Sequence, residues 1–200
     1  MEKLNGIDNI GATIIRRSDM NEKNLVHGTY SAKCFDKDGN LKWEEEFDNV
    51  VTDVGANLML STMFKSTSNT LYYLGLISSV GYTGIPVVAD TMSSHSSGGH
   101  VWVEAGNGTN YPVWTTPASN ARVTVAFGTV SARSAPLSAT ANFTIGATGG
   151  TINGCFLVTG TGAVATNNDT NGTLYSAGAF GTAKVVTPSD VVQVTYSTSV

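Results

Sequence analysis

The sequence predicts a mainly β protein: an antiparallel β-sandwich of jelly-roll type with one short helix near 53–64 and an extended N-terminal arm. Two observations indicate this fold class. Charge is concentrated early, since 18 of the 26 Asp, Glu, Lys and Arg residues lie within 1–53 and only 8 follow. Helical bundles need charged surface that this remainder lacks, whereas short apolar runs separated by Gly and Asn turns are typical of sandwich strands.

The N-terminal segment, 1–27, is predicted to be an arm that precedes a single β-sandwich domain at 28–200. Glycines and a β-branched run weaken a helix there, so we expect an extended arm, with a frayed terminus or an edge strand as the alternative. Its apolar residues need another surface to cover them. The candidate interface residues are Leu4, Ile7, Ile10, Ile14 and Ile15, with Arg16 and Arg17 at the rim.

The first elements of the domain are a hairpin and a helix. Tyr30 and Cys34 alternate with polar neighbours, and Asp38-Gly39 is a turn dipeptide. The following segment DVGANLMLSTMF places four apolar residues on one helical stripe, and Thr52 or Asp53 is a suitable N-cap. The apolar residues of this stripe are Leu58, Met59, Met63 and Phe64.

The rest of the chain is predicted to consist of strands with polar turns. A long loop at 79–99 interrupts them, and loops of that length are usually functional, interfacial or mobile. The predicted strands are LYYLGLIS (71–78), HVWVEA (100–105), ARVTVAFGTV, SATANFTIG, INGCFLVTG, GTLYSAGAF and VVQVTYSTS.

Two candidate metal sites are incomplete in the sequence. A calcium loop starting at Asp36 would need Gly and Glu where Leu41 and Phe47 stand, so an Asp-Gly hairpin turn explains the same residues. A zinc site at His95, His100 and Glu104 lacks a further ligand nearby and lies partly in a Ser/Gly loop. We therefore predict no bound metal.

Candidate catalytic and cofactor motifs also have simpler interpretations. Gly160 and Gly162 match a dinucleotide fingerprint, but TNNDTNG follows in place of the required helix. Glu45 would point away from its two glutamate neighbours in a strand, and no G-x-S-x-G motif marks a nucleophile. Aromatic residues such as Trp102 and Trp114 are interpreted as core or interface packing. We predict no catalytic residues, no cofactor and no enzymatic activity.

Charge and cysteine content limit the partners. A net charge of −4 argues against binding nucleic acid through phosphate contacts. We expect neither a signal peptide nor a membrane-spanning segment, and Cys34 and Cys155 are expected to remain reduced in a cytosol.

Several stretches resemble a family of small virion proteins of tailed bacteriophages. They are FDNVVTDVGANLMLSTMF, LYYLGLI, GYTGIPVVADTMSSH, HVWVE, RVTVAFGTVSA, TANFTIGATGGTINGCFLV, GTLYSAGAF and DVVQVTYSTS. The resemblance covers about 28–200, and its most specific part is the motif N-x-V-T-x-x-G-x-N-L-x-L from Asn49 to Leu60. It implies a structural role in the particle without catalytic residues.

The expected function is that of a capsid cement or decoration protein, made in the bacterial cytoplasm and located in the virion. Its expected partners are the major capsid protein, clamped by the arm, and further copies of itself, a trimer being favoured over a dimer. Charge-poor β proteins need such association to cover their sheet edges. The alternative is a head-fibre or tail-associated module that binds host surface glycan.

Overall fold

The computed structural model describes residues 26–65, 71–92, 102–107, 109 and 111–200. Two antiparallel sheets face each other in a β-sandwich, which confirms the predicted fold class. The strands are β1 (His27–Phe35), β2 (Leu41–Asp48), β3 (Val50–Val51), β4 (Tyr72–Ser78), β5 (Trp114–Thr116), β6 (Val123–Val125), β7 (Ser134–Pro136), β8 (Ala141–Ile145), β9 (Gly150–Thr159), β10 (Thr173–Val186) and β11 (Val191–Ser199). The helix α1 spans Asp53–Lys65, and a short 3-10 helix spans Ala118–Asn120.

The first sheet has the strand order β2-β1-β11-β8-β5, with β7 also paired to β11. The second sheet has the order β3-β10-β9-β4-β6. The first and last long strands, β1 and β11, pair along their whole length, from His27 opposite Ser199 to Phe35 opposite Val191. The first and last strands of the sandwich are therefore neighbours in the middle of one sheet.

The hairpin of β1 and β2 forms where the sequence predicts it. The carboxylate of Asp36 accepts hydrogen bonds from the backbone N–H groups of Asp38 and Asn40, each at 2.9 Å. Gly39 adopts a φ of 85°, a conformation that costs glycine little. Tyr30, like Ala32 and Cys34, points inward from β1, as the alternating pattern requires.

Side chains from both sheets form the main core between them. Tyr30 and Phe143 from the first sheet pack in one cluster with Leu76, Cys155 and Leu157 from the second. The second sheet is also buried on its outer face, because the segment that follows β4 folds back over it. This double burial explains why residues 73–78 of β4 and 154–159 of β9 are buried without alternation.

The predicted strand at 100–105 is wrong for its described part. In place of a strand, residues 102–107 form an irregular cover that meets β4 at an isolated β-bridge between Glu104 and Ile77. Trp102 lies in the second apolar cluster, on the outer face of the second sheet, where its ring centroid is 5.5 Å from that of Phe156. The cover is buried on more than one side, since Trp102 joins this outer cluster while Ala105 joins the main core.

None of the described helices is long and apolar enough to cross a membrane.

Candidate functional surface

A segment that we call the strap, residues 79–92, crosses the outer face of the second sheet. Asp90 holds it in place: its carboxylate accepts hydrogen bonds from the Val87 N–H at 3.0 Å and from the Trp102 indole N–H at 2.9 Å. Met92 is buried in the apolar cluster underneath. These anchors give the described part of the predicted 79–99 loop a defined conformation over the sheet.

The strap and α1 present apolar side chains to solvent, and we call these side chains the apolar surface. The Val88 carbonyl accepts a hydrogen bond from the Asp53 N–H at 2.9 Å, which places the strap at the first turn of α1. The helix carries charge only at its two ends, Asp53 and Lys65. The side chains of the apolar surface are Ile85, Val87 and Val88 from the strap and Leu60 and Phe64 from the helix.

Exposure at this surface is high: Ile85 is 68% exposed and Phe64 is 74% exposed. The helix forms where the sequence predicts it, and the apolar residues of its stripe are covered unequally. Met59 packs against the core, whereas Met63 and Phe64 stay in solvent. Large apolar side chains that stay exposed on a well-packed scaffold are candidates for contact with a partner.

The motif from Asn49 to Leu60 anchors α1 on the second sheet. The Thr52 hydroxyl accepts the Gly55 N–H at 3.0 Å as an N-cap and also donates to the Leu174 carbonyl. A Cβ atom at Gly55 would overlap the carbonyl oxygen of Tyr175, so only glycine allows the helix to approach β10 this closely. The Asn49 amide donates to the Tyr196 hydroxyl at 3.3 Å. These motif residues thus position the helix and its apolar side chains.

A second apolar feature, the helix groove, lies beside α1. It has a volume of about 310 Å³ and is lined by Leu58, Met59, Thr62, Met63, Tyr72 and Tyr175. The Tyr175 hydroxyl lies 3.2 Å from Met59 Sδ and 3.0 Å from Thr198 Oγ1. Burial raises the pKa of Tyr175, so this hydroxyl stays protonated at neutral pH. On a helical projection, Leu60 and Phe64 lie on the side of α1 away from the groove.

The predicted interface residues of the arm, Leu4 to Arg17, lie outside the described residues. His95 and His100 of the candidate zinc site lie outside them too. The third member of that site, Glu104, is buried and forms a bidentate ion pair with Arg122, with N–O distances of 2.9 and 2.7 Å. It also accepts the Asn168 N–H at 2.8 Å. Its oxygens hold the turn at 162–169 against the cover.

The other sequence candidates have structural roles. Gly160 and Gly162 adopt φ values of 83° and 84° in a turn after β9, as the turn interpretation predicts. Glu45 points toward β10, where it pairs with Lys184 at 2.5 Å and accepts the Gly181 N–H at 2.7 Å. In the part of the chain that the structure describes, no three His, Cys, Asp or Glu side chains group as a metal site would require.

An ion pair of which the sequence gives no sign joins Lys42, near the surface, to the buried Asp190 at 2.5 Å. The Asp190 carboxylate also accepts the Thr187 N–H at 2.7 Å and lies 3.8 Å from Cys34 Sγ. Burial opposes ionisation of Asp190, yet Lys42 and Thr187 hold the pKa of its carboxyl below its usual value. Partners so far apart in sequence leave no local pattern that could have revealed this pair.

The aromatic candidates are mostly internal. Trp102 and Trp114 are 1% and 2% exposed, and Tyr73 is buried as well. Tyr111, at 38% exposed, presents more of its ring to solvent. Both cysteines are free and buried. Burial, followed by the nearby Asp190 charge, raises the pKa of Cys34 to about 12, and burial also raises the pKa of Cys155.

Comparison of the chain with protein-family models, with curated proteins and with solved structures finds no match.

Proposed function

We propose that this chain is a non-enzymatic structural protein of a tailed-bacteriophage virion, a cement protein that binds the major capsid shell and associates with its own copies. The class of protein comes from the resemblance of 28–200 to phage virion proteins. The observation that carries the proposal is the apolar surface of strap and helix, held on a rigid sandwich. Such a surface gains free energy when a partner covers it, at roughly 25 cal/mol per Å² of apolar area.

The composition of the domain fits attachment to an assembly. Only eight charged residues follow position 53, so desolvating the surface formed by this later part of the sandwich, which includes the strap and most of α1, costs little electrostatic free energy. Charged residues are depleted in the same way at the centres of protein interfaces. The arm adds a second contact, in which apolar residues Leu4, Ile7 and Ile10 reach the shell.

A glycan-binding fibre module is the competing function, and the burial of Trp102 and Trp114 speaks against it. Sugar-binding sites usually stack a pyranose ring on an exposed aromatic face. Here both tryptophans are buried. The indole N–H of Trp102 donates to Asp90 Oδ2, and that of Trp114 donates to the Ala121 carbonyl.

Titration of the phage's purified empty shells with this protein tests the proposal. A cement protein saturates the shell at a copy number fixed by the lattice, as measured by co-sedimentation and quantitative gel analysis. Absence of shell binding, together with retention on host envelope glycan, would contradict the proposal and favour the fibre module.

A further inference from the structure

We infer that the helix groove is the docking site for the arm of the same chain, with Ile14 and Ile15 seated against Met59 and Met63. The inference concerns the free protein, and it does not depend on attachment to a shell. The groove is apolar and is too small for a whole helix, but it has room for a few aliphatic side chains. Methionine lines it on the helix side, and methionine adapts readily to the shape of an incoming apolar group.

The path of the chain places the arm next to this groove. The Thr198 hydroxyl donates a hydrogen bond to the His27 carbonyl at 3.0 Å. Thr198 Oγ1 also lies 3.0 Å from the hydroxyl of Tyr175, which lines the groove. The arm therefore joins the sandwich two side chains away from the groove wall. From Val26 back to Ile14 the chain can span at most about 40 Å, which is ample for this short distance.

The tether favours the chain's own arm over the arm of a second copy. A short linker gives its attached group an effective concentration in the millimolar range, far above that of a second chain in dilute solution. The remaining apolar residues, Leu4, Ile7 and Ile10, lie ahead of the docked pair and stay available for the shell. Docking at Ile14 would thus fix the base of the arm beside the apolar surface.

Disulfide trapping between engineered cysteines tests the docking directly. The variant with Ile14→Cys and Thr62→Cys should form an intrachain disulfide rapidly under mild oxidation, seen as a mobility shift of the monomer on a non-reducing gel. A matched control with Ile14→Cys and Val185→Cys uses an exposed residue near the far end of β10 and should react at least about tenfold more slowly. The native cysteines are buried and do not compete.

Equal rates in the two variants would overturn the inference, and so would an interchain disulfide as the main product with Thr62→Cys. These outcomes leave the proposed shell binding unaffected, because no shell is present in the experiment.

Limited trypsin digestion gives a second, independent readout. Met63 lines the groove, whereas Leu60 lies on the outer side of the same helix, and both are exposed, so Met63→Asp and Leu60→Asp should each leave the fold intact. Met63→Asp should raise the cleavage rate at Arg16 and Arg17 by about tenfold, because cleavage follows the population with a released arm. Leu60→Asp should change the rate by less than about twofold. The same rate in wild type and Met63→Asp would refute the docking.

Discussion

At the scale of single residues, Asp190 joins three parts of the sandwich. Its carboxylate forms an ion pair with Lys42 of β2 and accepts hydrogen bonds from the Thr187 N–H, in the turn after β10, and from the Cys34 thiol of β1. A buried carboxylate with this many donors is stabilised in its ionised form. Loss of the charge would weaken each of these hydrogen bonds and would remove the ionic attraction between Asp190 and Lys42.

Acid should therefore weaken the protein partly through Asp190. Its pKa is lower in the folded state than in the unfolded chain, so its contribution to stability is complete above about pH 4 and is lost as the pH falls through the folded value. Asp190→Asn should reduce the free energy of unfolding by about 2 kcal/mol at pH 7. The difference from wild type, measured by urea denaturation, should shrink at pH 3. A difference that stays constant from pH 7 to pH 3 would show that the ionised carboxylate is not the cause.

The two thiols offer a second test at this scale. In native protein at pH 8 neither Cys34 nor Cys155 should react with iodoacetamide, since both are buried and burial keeps them protonated. After unfolding without reductant, mass spectrometry should show two alkylated cysteines. An unfolded protein that takes up no label would indicate a disulfide and contradict the structure.

At the scale of elements, the close approach of α1 to β10 determines where the exposed apolar side chains of the helix lie. Gly55→Ala places a methyl group against the Tyr175 backbone, which cannot move aside as a flexible side chain could. We expect a loss of about 1–3 kcal/mol in the free energy of unfolding, typical of overpacking. Gly128→Ala is the control, because its added methyl meets no atom closer than 3.5 Å. Equal melting temperatures for the two variants would show that α1 tolerates a wider separation from β10.

Elements with a strong local pattern were the predictable ones. Alternation in β1, the Asp-Gly turn and the Thr52 cap are all visible within a few residues, and the structure has each in its predicted place. The sequence does not show that the strap and the cover at 102–107 pack on the outer face of the second sheet. The sequence pattern around Trp102 looks like that of a β-strand. Only the tertiary contact with Phe156 distinguishes the two cases.

The candidate surface was less visible in the sequence than the fold. An apolar stripe on a surface helix usually faces the core, and nothing local indicates that Met63 and Phe64 remain exposed while Met59 packs inward. Likewise, the pairing of Glu104 with Arg122 depends on two loops meeting, so its carboxylate looked like a free metal ligand. Long-range contacts of this kind carry no periodic signal.

At the scale of the whole molecule, the described sandwich completes its own core without the arm. The central strands of both sheets are paired on each side, and the first sheet starts at His27. Deletion of residues 2–24 should therefore leave a folded β domain whose melting temperature falls by no more than a few degrees, measured by circular dichroism. Attachment to shells should decrease sharply, because the distal arm contact is lost. An unfolded truncated protein would mean that the arm is an internal part of the domain.

Attachment of the shell to the apolar surface is tested most directly by the affinity of two matched variants for purified empty shells. Ile85 in the strap and Val130 in the segment between β6 and β7 are 68% and 69% exposed, so an aspartate at either position should leave the fold intact. If the apolar surface faces the shell, Ile85→Asp should weaken binding at least about tenfold, as expected for a residue at the centre of an interface. Val130→Asp should remain within about twofold of wild type. Equal affinities of the two variants for the shell would contradict the account.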